Sequence, residues 1–213
     1  LDFNDGIQMS GTSVISANED IQGSVDTGGL TVSGQTTIAA TAGSIDWQMI
    51  DGNLSASETT RVSSGLDTTI GMQTGNVIFN QDTAVSAGRD FVLAIETGDV
   101  RMNDQGQIEA GQAASVAVTT GNMLLDGTHT LAGDTGLTVS LGTGVLTATG
   151  TTTIQSVLGA VGLTLSEGRF DLTGTSLIEG TSVQLSQRSA STNTGLTSVG
   201  TTTVRATETD AVL

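Results

Sequence analysis

The sequence predicts an all-β fold: a right-handed parallel β-helix of about nine coils, each about 23 residues long with three short strands. Three observations predict it. Glycines recur at Gly75, Gly98, Gly121 and Gly144, always 23 residues apart. Apolar residues hold fixed places after each of them. Between those places apolar and polar residues alternate with period two, bounded by Gly, Asn, Asp and Ser, which is the pattern of short strands and turns. A repeat in the 20–50 residue range is the mark of a stacked, quasi-one-dimensional architecture.

The repeat extends in both directions. Units are anchored at Asp5, Gly28, Gly52, Gly75, Gly98, Gly121, Gly144, Gly168 and Thr194, with intervals of 23 to 26 residues. Two positions after each anchor stand Ile7, Leu30, Leu54, Val77, Val100, Met123, Leu146, Phe170 and Leu196. Ten positions after stand Ile15, Ile38, Val62, Val85, Ile108, Leu131, Ile154, Ile178 and Val204. These two columns are the predicted core. A third apolar run closes each unit, as in Phe91-Leu93-Ile95, Ala114-Val116-Val118 and Leu137-Val139-Leu141. No unit carries an apolar stripe at helical spacing.

A unit of this size cannot bury its own apolar face, so it must stack on its neighbours. At about 4.8 Å per coil, nine coils predict a rod of about 43 Å. Right-handed winding follows from the crossover rule for parallel strands. Residues 1–213 read as a single β-helix domain with no shift of composition along it, expected to be a piece of a longer repeat protein.

The corners carry their own columns. The first reads Ser10-Gly11, Ser33-Gly34, Ser57-Glu58, Asn80-Gln81, Asn103-Asp104, Asp126-Gly127, Thr149-Gly150 and Thr173-Gly174. Stacking places Asn80, Asn103 and Asp126 above one another as a corner ladder, which satisfies backbone groups that the sheets leave unpaired. A second corner reads Thr-Gly at Thr27-Gly28, Thr74-Gly75, Thr97-Gly98, Thr120-Gly121 and Thr143-Gly144. Threonine is again a turn residue there.

Composition bounds the partners. Twenty-two acidic residues against six basic ones give a net charge of −16, and Lys, Pro, Cys and Tyr are absent. Such a field repels nucleic acid and anionic membranes. Without cysteine there are no disulfides and no thiolate metal sites. No run of 18 apolar residues is present to span a bilayer, so membrane insertion is not expected. Leu1 to Met9 lacks the basic start and apolar stretch of a signal peptide, and any export signal is expected outside this sequence.

Candidate sites are few. His129 is the single histidine and shares a column with Thr83, Thr152 and Thr202, so it reads as a threonine replacement at a partly buried strand position. Asp99, Asp104 and Glu109 cluster with Arg101 near Asp82 and Asp90. Paired carboxylates of this kind perform acid–base work on glycosidic bonds, but here each lies in or beside a turn. No long loop walls a cleft, and the longest insertion, Ser186 to Asn193, has no acid group. No enzyme activity is expected, and no catalytic, cofactor or metal residue is assigned. Calcium is the cation that suits an acidic extracellular rod, yet neither Gly-Gly-x-Gly-x-Asp nor Asp-x-Asp-x-Asp-Gly is present. Outward Thr pairs at Thr128/Thr130, Thr151/Thr153 and Thr201/Thr203 resemble the ranks of an ice-binding face, but Thr59/Arg61, Asp82/Ala84 and Gln105/Gln107 interrupt them.

Stretches such as AGRDFVLAIETGDV, TGNMLLDGTHTLAGDTGLTVSLGTGVL and SEGRFDLTGTSLIEG resemble the repeats of filamentous-haemagglutinin-type adhesins, over nearly the whole chain from Asp5 to Val212. The resemblance implies an extracellular or cell-surface bacterial β-helical stalk that holds a binding region away from the cell. Its partners would be glycans or proteins of a host or bacterial surface, or copies of itself. The Asn-Pro-Asn-Gly motif of that family's secretion domain is absent, since the chain has no Pro. Two other readings stand beside it: a filament subunit stacking end to end, and a polysaccharide-active β-helix.

Overall fold

A computed structural model describes residues 2–3, 5–188, 195–208 and 211–212. The anchor Thr194, residue Leu213 and the insertion beyond Arg188 lie outside the described residues. The described chain is all β. It begins with β1 (Asp2–Phe3), β2 (Ile7–Met9), β3 (Thr12–Ala17) and β4 (Ile21–Val25). The next coils comprise β5 (Leu30–Val32), β6 (Gln35–Ala40) and β7 (Ile45–Asp51), then β8 (Leu54–Ala56), β9 (Thr60–Ser64) and β10 (Thr68–Thr74). They continue through β11 (Val77–Phe79), β12 (Asp82–Ala87) and β13 (Phe91–Thr97). After these come β14 (Val100–Ala110), β15 (Ala113–Thr120), β16 (Met123–Gly133) and β17 (Gly136–Gln155). The chain closes with β18 (Ala160–Gly180), β19 (Val183–Gln187), β20 (Gly195–Ala206) and β21 (Ala211–Val212).

Every strand pairing among the described residues is parallel and joins equivalent residues of successive coils. Val77 faces Leu54 on one side and Val100 on the other; Val100 faces Met123, and Met123 faces Leu146. The three-sided path is thus a parallel β-solenoid with a spacing of about 23 residues. Its turns number about eight rather than nine. The reason is simple counting: the column from Ile7 to Leu196 holds nine rungs, and nine rungs enclose eight turns. The rod is correspondingly shorter, about 38 Å at about 4.8 Å per turn.

The strand expectation also needs correction. Three separate short strands hold for the first four coils. From β14 onward the strands fuse around the first corner, because Asn103, Asp104 and Gln105 pair with Asp126, Gly127 and Thr128 without a break. In β17 and β18 the fusion also takes in the anchor corner, where Thr143, Gly144 and Val145 face Glu167, Gly168 and Arg169. The result is strands of 20 and 21 residues that bend instead of stopping.

Alternation decides what is inside. In β13, Phe91, Leu93 and Ile95 point inward and are almost completely shielded, while Val92, Ala94 and Glu96 face out. The predicted core residues Leu30, Leu54, Val77, Val100, Met123, Leu146 and Phe170 are buried, as are Ile38, Val85, Ile108, Leu131, Ile154 and Ile178. Ile7 and Ile15, in the first rung, are only partly buried, and so is Val62. Leu196 of the last of the nine rungs is 45% exposed, against 3% for Phe170 one coil before it. Each fully buried aliphatic side chain contributes about 1.5–3 kcal/mol of burial. The stacking of like on like is therefore what holds the rod together.

The anchor glycines are required by contact between coils. Gly75, Gly98, Gly121 and Gly144 have φ between +140° and +154°, a conformation that essentially only glycine adopts. A Cβ at Gly98 would also collide with the carbonyl oxygen of Gly75 in the preceding coil, and the same holds up the column.

Candidate functional site

The corners and outward faces are where this rod meets its surroundings. At the first corner the Asn103 Nδ2 donates to Asn80 Oδ1 at 2.6 Å. Asp126 continues that column one coil on, accepting from Thr149 Oγ1 at 2.5 Å. Just below the corner, Thr36, Thr60 and Thr83 turn their hydroxyls back to the carbonyls of Ser33, Ser57 and Asn80, three residues earlier. The backbone beside the ladder is left-handed at Glu58, Gln81 and Asp104, with φ of 61°, 58° and 67°. Neighbouring coils fill that place with Gly11, Gly34, Gly127 and Gly150, but these three successive coils do not.

A second ladder escaped the sequence reading. Asn53 Oδ1 accepts both the backbone N–H (2.8 Å) and the side-chain amide (3.1 Å) of Asn76. Asn76 Oδ1 accepts the N–H of Asp99, Asp99 Oδ1 that of Asn122, and Asn122 Oδ1 that of Val145. Each acceptor satisfies the backbone donor directly above it, at the residue after the anchor glycine. The signal was present as Gly52-Asn53, Gly75-Asn76, Gly98-Asp99 and Gly121-Asn122. A third column runs from Asp20 through Ser44, Asp67 and Asp90 to Ala113, again side-chain oxygen to backbone N–H.

These columns account for two of the clustered carboxylates, Asp90 and Asp99. Asp99 belongs to its ladder and also pairs with Arg101 Nη2 at 2.9 Å. Burial pushes its pKa up, but hydrogen bonds from the Asn122 N–H, Arg101 and the Asn122 amide outweigh that and hold it below the ordinary value. Asp67 is held low chiefly by the hydrogen-bonded guanidinium of Arg89, 2.6 Å away. Asp82 pairs with Arg61 at 2.6 Å, Asp90 accepts the Ala113 N–H, and Glu109 accepts Gln107 Nε2. Asp104 stands exposed at its left-handed corner. The six charged residues therefore do not converge. Among the described residues no group of three or more His, Cys, Asp or Glu side chains is placed to hold a metal ion.

The outward faces are flat and small-featured. Thr128/Thr130, Thr151/Thr153 and Thr201/Thr203 all lie on the outer side of one face, with Thr175/Leu177 between the last two rungs. On the face formed by β7, β10, β13 and β15, a shallow trough has Gly71, Ala94 and Ala117 as its floor. Ile50, Gln73, Glu96 and Thr119 form its wall. No helix of the described residues is long and apolar enough to cross a membrane.

His129 departs from expectation. It is fully buried, 1% exposed, not partly so. Its rung faces Gly106 on one side and Thr152 on the other, and the missing Gly106 side chain is what admits the ring. The family models, the curated proteins and the solved structures contain nothing that matches this chain significantly.

Proposed function

We propose that this chain is a rigid spacer and interaction segment of a secreted or cell-surface bacterial β-helical adhesin. The observation that carries the reading is the in-register stack: one continuous apolar core runs along the rod, closed between its first and last rungs, and its corners are tied coil to coil by side-chain ladders. Such a body transmits position and force over distance, which is the work of a stalk. Its outer faces, rich in Thr and Ser, offer hydroxyl groups and small troughs to glycans or to protein surfaces. The net charge of −16 disfavours nucleic acid as partner. Catalysis is not part of the reading: Asp90 and Asp99 serve in ladders, Asp82 is ion-paired with Arg61, and Glu109 accepts from Gln107. No metal or cofactor is assigned.

The test is adherence. Beads coated with the purified chain are offered to immobilised glycans, to bacterial cells and to epithelial cells. Saturable binding to a surface, abolished by soluble chain, is the expected result. Binding to none of them, together with release of reducing ends in a polysaccharide-cleavage screen, would replace the adhesive reading with the enzymatic one.

One observation favours end-to-end assembly as a second reading. Leu196 of β20 is 45% exposed, whereas Phe170, its partner in the preceding coil, is 3% exposed beneath β20, so another coil of the same kind would cover Leu196. Filaments of the purified chain in negative-stain images are the outcome that this reading requires.

A further inference from the structure

Among the described residues, His129 is the one buried side chain able to gain a charge. Neither of its ring nitrogens has a hydrogen-bond partner, and neither does Thr152 Oγ1 in the adjoining rung. The ring sits in the place left by Gly106: a Cβ there would lie 3.0 Å from His129 Nδ1 and would collide with the Met102 methyl. The hydroxyl column that ties Thr36, Thr60 and Thr83 to the first corner is therefore interrupted at three successive rungs, Gly106, His129 and Thr152.

A neutral imidazole tolerates this place, since its body is apolar and it leaves one donor and one acceptor unmade. An imidazolium does not. It carries two N–H donors and a full charge, and an unpaired charge in a sealed interior is among the costliest things a fold can hold. The Asp126 carbonyl attracts the ring from the place of the threonine acceptors, but outside hydrogen-bond geometry. The charged groups that face it are Asp126 on its own strand and Asp104 on β14, and both side chains stand at the exposed corner. On the other side, β17 contributes no ionisable residue at all.

We propose that His129 is an acid-operated weak point of the rod: when its imidazole takes up a proton, the ladder joining β14, β16 and β17 opens locally while the flanking coils stay stacked. The sign follows from linkage. Burial lowers the pKa of the ring in the closed rod below its ordinary 6.5, so the open form binds the proton more tightly. The closed state is fully favoured above about pH 6.5 and weakens as the pH falls beneath it. One proton per opening event raises the opening constant about tenfold for each pH unit in that window.

Hydrogen–deuterium exchange on the whole chain tests this, at about pH 7.5 and about pH 5, normalised for intrinsic exchange. In the parent, the segments 103–110, 126–133 and 149–155 are expected to lose about tenfold or more in protection relative to the first four coils. In His129→Thr, which restores the residue of the Thr83 and Thr152 positions, that extra loss is expected to vanish. An equal loss in both proteins overturns the proposal. If His129→Thr does not fold, nitrogen-15 NMR of the single histidine decides alone. A ring that stays neutral below about pH 6 and charges only with local opening supports the proposal. A ring titrating near its ordinary value with protection unchanged sinks it.

Discussion

The indole of Trp47 rests on Gly23 of the coil before, its register partner, so closely that any side chain at Gly23 would overlap the six-membered ring. Trp47 is the only tryptophan and is 3% exposed. A coil interior sized for Ile, Leu and Val takes so large a group because the neighbouring rung has given up its own side chain. His129 and Gly106 form a second pair of the same kind. Trp47→Ala is expected to destabilise by about 3–5 kcal/mol, and Gly23→Val by about 1–3 kcal/mol through overpacking. Urea titrations followed by circular dichroism measure both. A Gly23→Val protein as stable as the parent would show that the indole has room to move.

The anchor and first-corner columns give opposite expectations for glycine. Gly98→Ala places a side chain against the Gly75 carbonyl at a φ of +148°, and is expected to cost about 1–3 kcal/mol from the backbone alone. Gln81→Gly removes a left-handed non-glycine residue, and is expected to stabilise by up to about 1 kcal/mol. Thermal melts of the two variants should therefore move in opposite directions. A loss of stability in Gln81→Gly would mean that the glutamine side chain contributes more than its backbone costs.

The anchor ladder predicts a directional effect. Asp99→Ala leaves the Asn122 N–H and side-chain amide without their acceptor, at an expected cost of about 1–3 kcal/mol. The loss should appear in hydrogen exchange at Asn122, while the N–H of Asp99 keeps its bond to Asn76. Equal loss on both sides would show that the column acts as one cooperative unit.

Acid stability carries a signature of its own. Asp67 and Asp99 have pKa values lowered below the ordinary carboxylate, 3.8, by the contacts described above. A depressed carboxylate stabilises the folded state above its unfolded pKa, and that stabilisation is lost as the pH falls through its folded one. Melting temperatures are thus expected to drop steeply below about pH 4, and less steeply in Asp99→Asn. Identical slopes would remove Asp99 from the acid transition. This window lies beneath the one governed by His129, so the two are separable by pH alone.

The rod was legible because its repeat imposes one register on every coil. A single column such as Val77, Val100, Met123 and Leu146 is weak evidence, but several columns sharing one spacing leave no other fold that buries them all. The Asn80–Asn103 contact could be anticipated for the same reason. The anchor ladder was less visible: its Asn and Asp follow a glycine, where they read as ordinary turn residues. Its role depends on the Oδ1 reaching one coil upward. The left-handed backbone at Glu58 and Gln81 was not legible from residue type, since neither favours it, whereas Asp104 is of a type enriched there; the glycines that fill the same place in neighbouring coils were the signal. That conformation is imposed by the coils above and below. The fusion of strands from β14 onward has the same origin, in corner residues that happen to pair.

Because each turn meets the next through the same register, the molecule has approximate translational symmetry, broken by residue identity and by the inserted residues of a few units. Length is therefore a discrete variable. Removing or duplicating one 23-residue unit, such as residues 75–97, preserves the backbone register where the remaining coils meet, although new side chains face one another there, and changes the rod by one step of about 4.8 Å. A gene encoding such a chain can lengthen or shorten its product by recombination between repeats without redesigning a core. Reach would then evolve separately from recognition.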